Sequence, residues 1–386
     1  MATIELNYNN IRQNGINLKE QSQNIIAVVK NNAYNLNLRE CVKLYSEIGI
    51  NYFATTKEEE CKVIRETLGK DANIFLLNPT YNFDLVREYN VEINIASLEY
   101  LKENLGNVRN LTLQLEFAGS MRRAGARNLE EVLEIINFCK ENTLKLKGFW
   151  SHFSFADEFD GFYEKEKELV LKVLDEAQKH HDFEVIHLQN SASFLRDGVF
   201  EKTTHQRLGI ILYGAMPYNV KENPVALKDL IIKNPITVYG EIINIVTLNK
   251  GECIGYSNSY IADAKKKVGV VNIGYGDGIL RDRLKGKTCL INGKERNIYS
   301  TMMSHLVVEI GEEESIGDRV YIYDDKQQLH DYTKYFGPNS VQLAALNYDS
   351  LKVKKILLVM KWHRLLPECW HMKTNIILSK KLFLTN

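Results

Sequence analysis

Six polar side chains fall where an α/β chain usually keeps its chemistry, at the ends of short apolar runs. Lys30 closes IIAVVK (25–30), Arg123 follows LTLQLEF (111–117) in MRRAG, and His152 closes LKGFWSHF (146–153). Asn190 and Ser191 close VIHLQNS (185–191), and Arg207 precedes GIILYG (209–214) in QRLGI. On one rim, a lysine, two arginines, a histidine and a serine make a cationic pocket suited to a phosphorylated, anionic ligand. The Ser191 hydroxyl and the backbone N–H groups around Gly209 and Ile210 offer a phosphate cradle, because glycine permits close approach. Each residue also has an ordinary reading: a solvated lysine stem, a packed histidine, a surface arginine run at Arg122 and Arg123. Their shared position, rather than any one of them, argues for a site.

That rim requires a fold that brings the run ends together. Besides the runs above, NYFATT (51–56), NIFLL (73–77) and INIAS (93–97) complete a set of eight. Most intervals between them carry apolar residues at three- and four-residue steps, as in LRECVKLYSEIG, KEEECKVIRETLG and NLEEVLEIINFCKE. Strands alternating with helices imply parallel βαβ units, and eight in succession imply a closed (β/α)8 barrel of the TIM type. The chemistry of such barrels sits at the C-terminal strand ends, where these residues fall. A doubly wound sheet would call for G-x-G-x-x-G after its first strand, and none is present.

After about residue 220 the grammar changes. ITVYGEIINIVTL, VGVVNIGYGDG, KTCLING, LVVEIG and DRVYIYDD are β-rich, broken by Gly and Asn-Gly, and lack helical periodicity. The expected organisation is a barrel over 9–222 and a mostly antiparallel β domain over 223–356, with residues 1–8 available as an added strand. Residues 357–386 form an atypical tail that holds two of the three tryptophans.

Composition narrows the function classes. The formal net charge is zero and no basic stripe occurs, which argues against nucleic acid or an anionic membrane as partner. No apolar stretch approaches the roughly 18–20 residues of a spanning helix. MATIELNYNN lacks a cationic segment followed by an apolar run, so no secretory signal is expected. Six dispersed cysteines without a C-x-x-C pair suit a reducing cytoplasm and no metal.

At these residues the sequence resembles the alanine racemase family, fold-type III enzymes that use pyridoxal 5'-phosphate. AVVKNNAY is similar to the family's cofactor-lysine motif, SHFSFAD to its barrel-histidine motif, and LQNSAS and QRLGIILYG to its phosphate and pyridine segments. GECIGYSNSY resembles the second-base motif and VNIGYGDGILR the access-channel motif, so six matches run in order over most of residues 20–320. The resemblance implies that Lys30 condenses with the cofactor's aldehyde and serves one face of the substrate's Cα. Tyr34 would hydrogen-bond the phosphate with Ser191, Gly209 and Ile210, in a segment that also includes Asn190. Tyr256, supplied by the partner subunit of a head-to-tail homodimer, would serve the opposite face. A free tyrosine titrates near 10 and is a poor base at neutral pH, so a chain Tyr256–His152–Arg207 would stabilise its phenolate. Arg207 would also face the pyridine nitrogen, making the ring a weaker electron sink because a guanidinium does not give up a proton. Arg123 would hold the cofactor's phenolic oxygen and the substrate carboxylate, with Met303 and Tyr275 also at the substrate.

Three departures stand out. Where the family commonly has a lysine, often carbamylated, seven residues before the arginine matching Arg123, this chain has Glu116, which would supply that negative charge directly. The family's Cys-Met-Asp triplet appears as Met302, Met303 and Ser304, so an acidic side chain is missing. In NYDSLKVKKI the family's phosphate-binding tyrosine appears as Leu351. The expected function is interconversion of L- and D-alanine. The alternatives are a racemase of serine or another small amino acid, and a non-catalytic pyridoxal-phosphate-binding protein, against which Tyr256 and the second domain argue.

Overall fold

A computed structural model of the chain describes residues 1–284, 288–332 and 339–357; the tail from residue 358 lies outside them. Nine strands come first: β1 (Thr3–Asn7), β2 (Ile25–Val28), β3 (Tyr52–Thr55), β4 (Asn73–Leu76), β5 (Glu92–Ile95), β6 (Thr112–Phe117), β7 (Lys145–Ser151), β8 (Val185–His187) and β9 (Gln206–Leu208). β2 to β9 form one eight-stranded parallel sheet in which β2 pairs both β3 and β9. The last gap is spanned by Arg207 N–H to Gln189 O at 3.2 Å and His205 N–H to Ile186 O at 3.1 Å. The eight-stranded (β/α)8 reading of the sequence therefore holds.

One strand is shifted. GIILYG is not the eighth barrel strand: β9 covers Gln206–Leu208, and Ile210–Tyr213 forms a 3-10 turn. A short apolar run does not by itself separate a buried strand from a buried helical turn. Here Gly209, at φ −120° and ψ −101°, breaks the extended backbone. The shift matters, because Arg207 becomes a barrel-wall residue instead of a loop residue.

The barrel interior is divided chemically. Ile26, Val28, Tyr52, Ala54, Phe75, Leu77, Trp150 and Val185 pack together in one apolar cluster. Glu92, Asn94, Gln114, Glu116, His187 and Arg207 are buried beside it and joined by hydrogen bonds. On the outer side, helices such as Leu129–Glu141 bury one face (Val132, Ile135, Ile136, Cys139) against the strands.

The second sheet contains β10 (Ile236–Leu248), β13 (Lys266–Val271), β14 (Thr288–Ile291), β15 (Lys294–Thr301), β16 (Leu306–Glu309), β17 (Arg319–Tyr323) and β18 (Lys352–Ile356). A separate hairpin joins β11 (Cys253–Ile254) and β12 (Tyr260–Ile261). All but one of these pairings are antiparallel. β1 inserts between β10 and β18, antiparallel to β10 and parallel to β18, so the chain's first strand completes this sheet. No helix among the described residues is long and apolar enough to cross a membrane.

Candidate active site

Lys30 stands where β2 ends and the backbone reverses hand. Asn31, Asn32, Ala33, Tyr34 and Asn35 all have positive φ, between 52° and 70°. Asparagine tolerates this region, but Ala33 and Tyr34 carry a left-handed cost of roughly 1–2 kcal/mol each. The turn is held by Ala33 N–H to Val29 O at 2.9 Å, and by the Asn35 side-chain amide to the carbonyls of Leu343 and Leu346, each at 3.0 Å. Its effect is to place Lys30 at the barrel mouth and Tyr34 beside Gly209. A β-carbon at Gly209 would lie 2.4 Å from the Tyr34 hydroxyl, so only glycine permits that approach. The Tyr34 ring packs on Tyr213 at 4.9 Å.

Arg207 is the most heavily bonded side chain of the site. One η nitrogen donates to His187 Nδ1 at 2.8 Å and to the His187 carbonyl at 3.0 Å. The other donates to His152 Nδ1 at 3.0 Å and to the Ser151 carbonyl at 2.8 Å. The ε N–H has no partner among the described residues. Beneath lies Trp150, fully buried, with the Arg207 guanidinium 5.0 Å and the Arg123 guanidinium 5.9 Å from its ring. His187 stacks parallel to Trp150 at 5.8 Å and continues inward through Gln114 Oε1 at 2.7 Å. Gln114 in turn donates to Glu92 at 2.6 Å, and Lys147 closes the line at 2.5 Å from Glu92.

Glu116 is also inside the barrel wall, with its side chain 1% exposed, and it pairs with Arg123 at 3.3 Å. Its second oxygen accepts from Asn94 Nδ2 at 2.6 Å, and Asn94 Oδ1 accepts from the Trp150 indole at 3.1 Å. Burial raises the Glu116 carboxyl to about 7, against the pull of Arg123 and Asn94.

These groups surround a cavity of about 530 Å³ lined by Lys30, Tyr34, Arg123, His152, Asn190, Ser191, Arg207, Gly209 and Ile210 among others. Sequence-derived candidates from five different strand ends thus meet in one place. The Gly209 N–H already donates to Ser191 Oγ at 3.0 Å, which leaves the Ser191 O–H and the Ile210 N–H as cradle donors. Asn190 caps the helix Ser191–Asp197 through the N–H groups of Ala192 and Ser193, and its own amide donates to Phe153 O at 3.0 Å. These bonds brace the cradle, and Asn190 itself lines the cavity. Part of the cavity wall comes from the second domain, through Ser340, Val341 and Ala344.

The field in this cavity is positive. Lys30 has no carboxylate or hydrogen-bond partner among the described residues; its ammonium meets only the Tyr34 ring, at 5.9 Å. Burial, then Arg123, then Arg207 lower its pKa below the ordinary lysine range. His152 is held well below the usual histidine range by burial and by Arg207, Arg123 and Lys30, so it is neutral. Because Nδ1 accepts from Arg207, the proton of neutral His152 sits on Nε2.

Three expected residues do not line this cavity. Tyr256 and Met303 are 69% and 59% exposed on the second domain, and Tyr275 is half-buried there. They form one neighbourhood: Tyr275 N–H and Gly276 N–H donate to the carbonyls of Met302 and Met303 at 3.2 and 2.7 Å. Ser259 joins the Tyr256 loop to Ser300 at 2.6 Å. Leu351 is buried in the core and does not reach the cavity. His187, Trp150 and Asn94 were not anticipated. Their signal was available as polar or aromatic residues alternating with apolar ones on strands, as Glu92 and Asn94 do in EINI and Gln114 and Glu116 in LQLEF.

Fold and site together define a TIM-type barrel enzyme with a β domain at its C-terminal side and one lysine set between two arginines. The descriptions "Alanine racemase, N-terminal domain" and "Alanine racemase, C-terminal domain" match residues 3–217 and 236–345. "Alanine racemase 2" of Staphylococcus aureus is 38% identical over 364 residues, 92% of this chain and 98% of that relative. An "Alanine racemase" of Staphylococcus epidermidis is 27% identical, covering 84% of each chain. The chain belongs to the alanine racemase family, and by that membership is an isomerase. In fold it is similar to solved alanine racemases from Streptomyces lavendulae and E. faecalis. Their TM-scores are 0.81 and 0.80 at 23% and 24% identity, covering 94% and 92% of this chain and 98% of each of those chains.

Proposed function

We propose that the protein is a pyridoxal 5'-phosphate-dependent racemase that interconverts L- and D-alanine with two bases, Lys30 and the partner subunit's Tyr256. The observation that carries this reading is a lysine without a counter-ion among the described residues, its pKa lowered by burial and then by two arginines, at the mouth of a cavity whose far wall is a phosphate cradle. The residues present fit the cofactor. Ser191, Ile210 and Tyr34 offer donors to a phosphate, Gly209 gives the space, and the unclaimed ε N–H of Arg207 suits a ring nitrogen that stays unprotonated. When bound, pyridoxal phosphate supplies an aldehyde that captures amines and a ring that withdraws electrons from the adjacent carbon.

The chain's own groups account for the proton movements. Burial, Arg123 and Arg207 disfavour the charged form of Lys30, and a neutral amine can accept the Cα proton on one face. On the opposite face the partner subunit's Tyr256 does the same work, with His152 Nε2–H stabilising its oxygen and Arg207 fixing the histidine's tautomer. Arg123 receives the substrate carboxylate, and Glu116 offsets and orients Arg123. The exposed cluster of Tyr256, Tyr275 and Met303 supports a head-to-tail homodimer in which each copy completes the other's site. The free thiols of Cys41, Cys61, Cys139 and Cys253 support a cytoplasmic setting.

A second substrate reading, serine or another small amino acid, is favoured by Ser304, which takes an acidic side chain away from the segment beside Met303. Incubation with each small L-amino acid in deuterated water tests both readings. Inversion with deuterium at Cα for alanine supports the first, and faster exchange with serine supports the second. No exchange with any of them contradicts a racemase.

A further inference from the structure

The placement of Lys30 and Tyr34 depends on a run of backbone that L-residues disfavour, so groups outside the turn must hold it. One of these is a carboxylate on another βα unit. Glu60 belongs to the first turn of the helix Glu58–Leu68, which follows β3 instead of β2. It is buried, stands outside the lining of the active-site cavity and has no lysine or arginine partner among the described residues. One oxygen accepts the Asn32 N–H at 2.6 Å, in the middle of the left-handed turn. The other accepts the hydroxyl of Thr55, the fully buried last residue of β3. The Asn32 side chain accepts the Leu38 N–H at 2.9 Å and so ties the turn to the next helix. A buried carboxylate without a cation is costly, and this one directs both oxygens to a turn and a strand end.

We propose that Glu60 is a positioning residue whose carboxylate clamps the left-handed turn to the end of β3 and thereby sets where the Lys30 amine and the Tyr34 hydroxyl point. The proposal rests on the reading above that those two groups hold the cofactor. Helix propensity does not explain Glu60, because its neighbours Glu58 and Glu59 serve the helix start equally well.

The test measures backbone hydrogen exchange in the cofactor-free protein beside its affinity for pyridoxal phosphate. Glu60→Ala removes a charge-assisted bond, and exchange over residues 31–36 rises about tenfold or more while the other barrel strands stay protected. Cofactor affinity falls by a similar factor. Glu60→Gln keeps an acceptor for the Asn32 N–H and restores both. Should Glu60→Ala not fold, Thr55→Val removes the anchor and produces the same local rise. Unchanged exchange over 31–36, a rise spread evenly over the barrel, or no rescue by Glu60→Gln would overturn the clamp. Faster exchange with unchanged affinity would leave the clamp standing and count against Lys30 and Tyr34 as the cofactor's holders.

Discussion

Arg207 and His152 form a pair with a fixed direction: the guanidinium donates at 3.0 Å to Nδ1, so the imidazole's own proton is on Nε2. Arg207 spends its remaining η bonds on His187 and two carbonyls. Burial and Arg123 lower it to about 9, which leaves it charged at neutral pH. A lysine in its place supplies a charge but not a planar fork that can hold two imidazoles and face a third acceptor. Arg207→Lys is therefore expected to lower turnover by about a hundredfold or more. The visible band of the cofactor should shift while the thermal midpoint moves little. Retention of both turnover and spectrum would show that charge alone suffices.

Lys30 should react as an amine at lower pH than the surface lysines of the same chain. Burial, Arg123 and Arg207 all disfavour its charged form. Acylation of the cofactor-free protein, followed by peptide mapping across a pH series, reads this directly. Arg123→Leu removes one of the two like charges, so the Lys30 inflection moves upward.

Glu116 gives the site a pH dependence. Its carboxyl is raised from 4.5 to about 7, chiefly by burial. The folded state therefore keeps the proton longer than the unfolded state. Its contribution to stability is fully present below about 4.5 and is lost as pH rises through about 7. The loss amounts to roughly 3 kcal/mol. The support it gives Arg123 has the opposite trend, because only ionised Glu116 offsets the guanidinium. Glu116→Gln should flatten denaturant stability against pH across this interval. It should also remove an inflection near 7 in the substrate's KM. Parallel profiles for both proteins would mean that Glu116 does not titrate there.

Much of this was legible in the sequence, for physical reasons that differ by residue. Lys30, Arg123, His152 and Ser191 each stand at a change from apolar run to polar turn, and a parallel barrel makes every such change a rim position. Arg207 was found but placed one element off. GIILYG is as apolar as a strand, and only the backbone at Gly209 shows that the strand has already ended. The left-handed turn was hidden because Ala33 and Tyr34 carry no sign of positive φ, although three asparagines in NNAYN tolerate it. Glu60, Asn94 and His187 act across units far apart in sequence, and no local pattern predicts that a helix after β3 will hold the loop after β2. Tyr256 is the reverse case: the sequence motif singles it out, while in one chain it is 69% exposed and away from the cavity.

The proposed two-base account requires Lys30 and Tyr256 to come from different subunits, and complementation tests that more directly than any single variant. Lys30→Ala and Tyr256→Phe proteins, each inactive in racemisation alone, are unfolded together at equal concentration and refolded. Random pairing makes half the dimers mixed, and each mixed dimer has one intact site of two, so racemase activity should return to about a quarter of wild type. If the mixture instead stays as inactive as its parents while mixed dimers are demonstrably formed, the two bases do not share a site across subunits, and the two-base account fails.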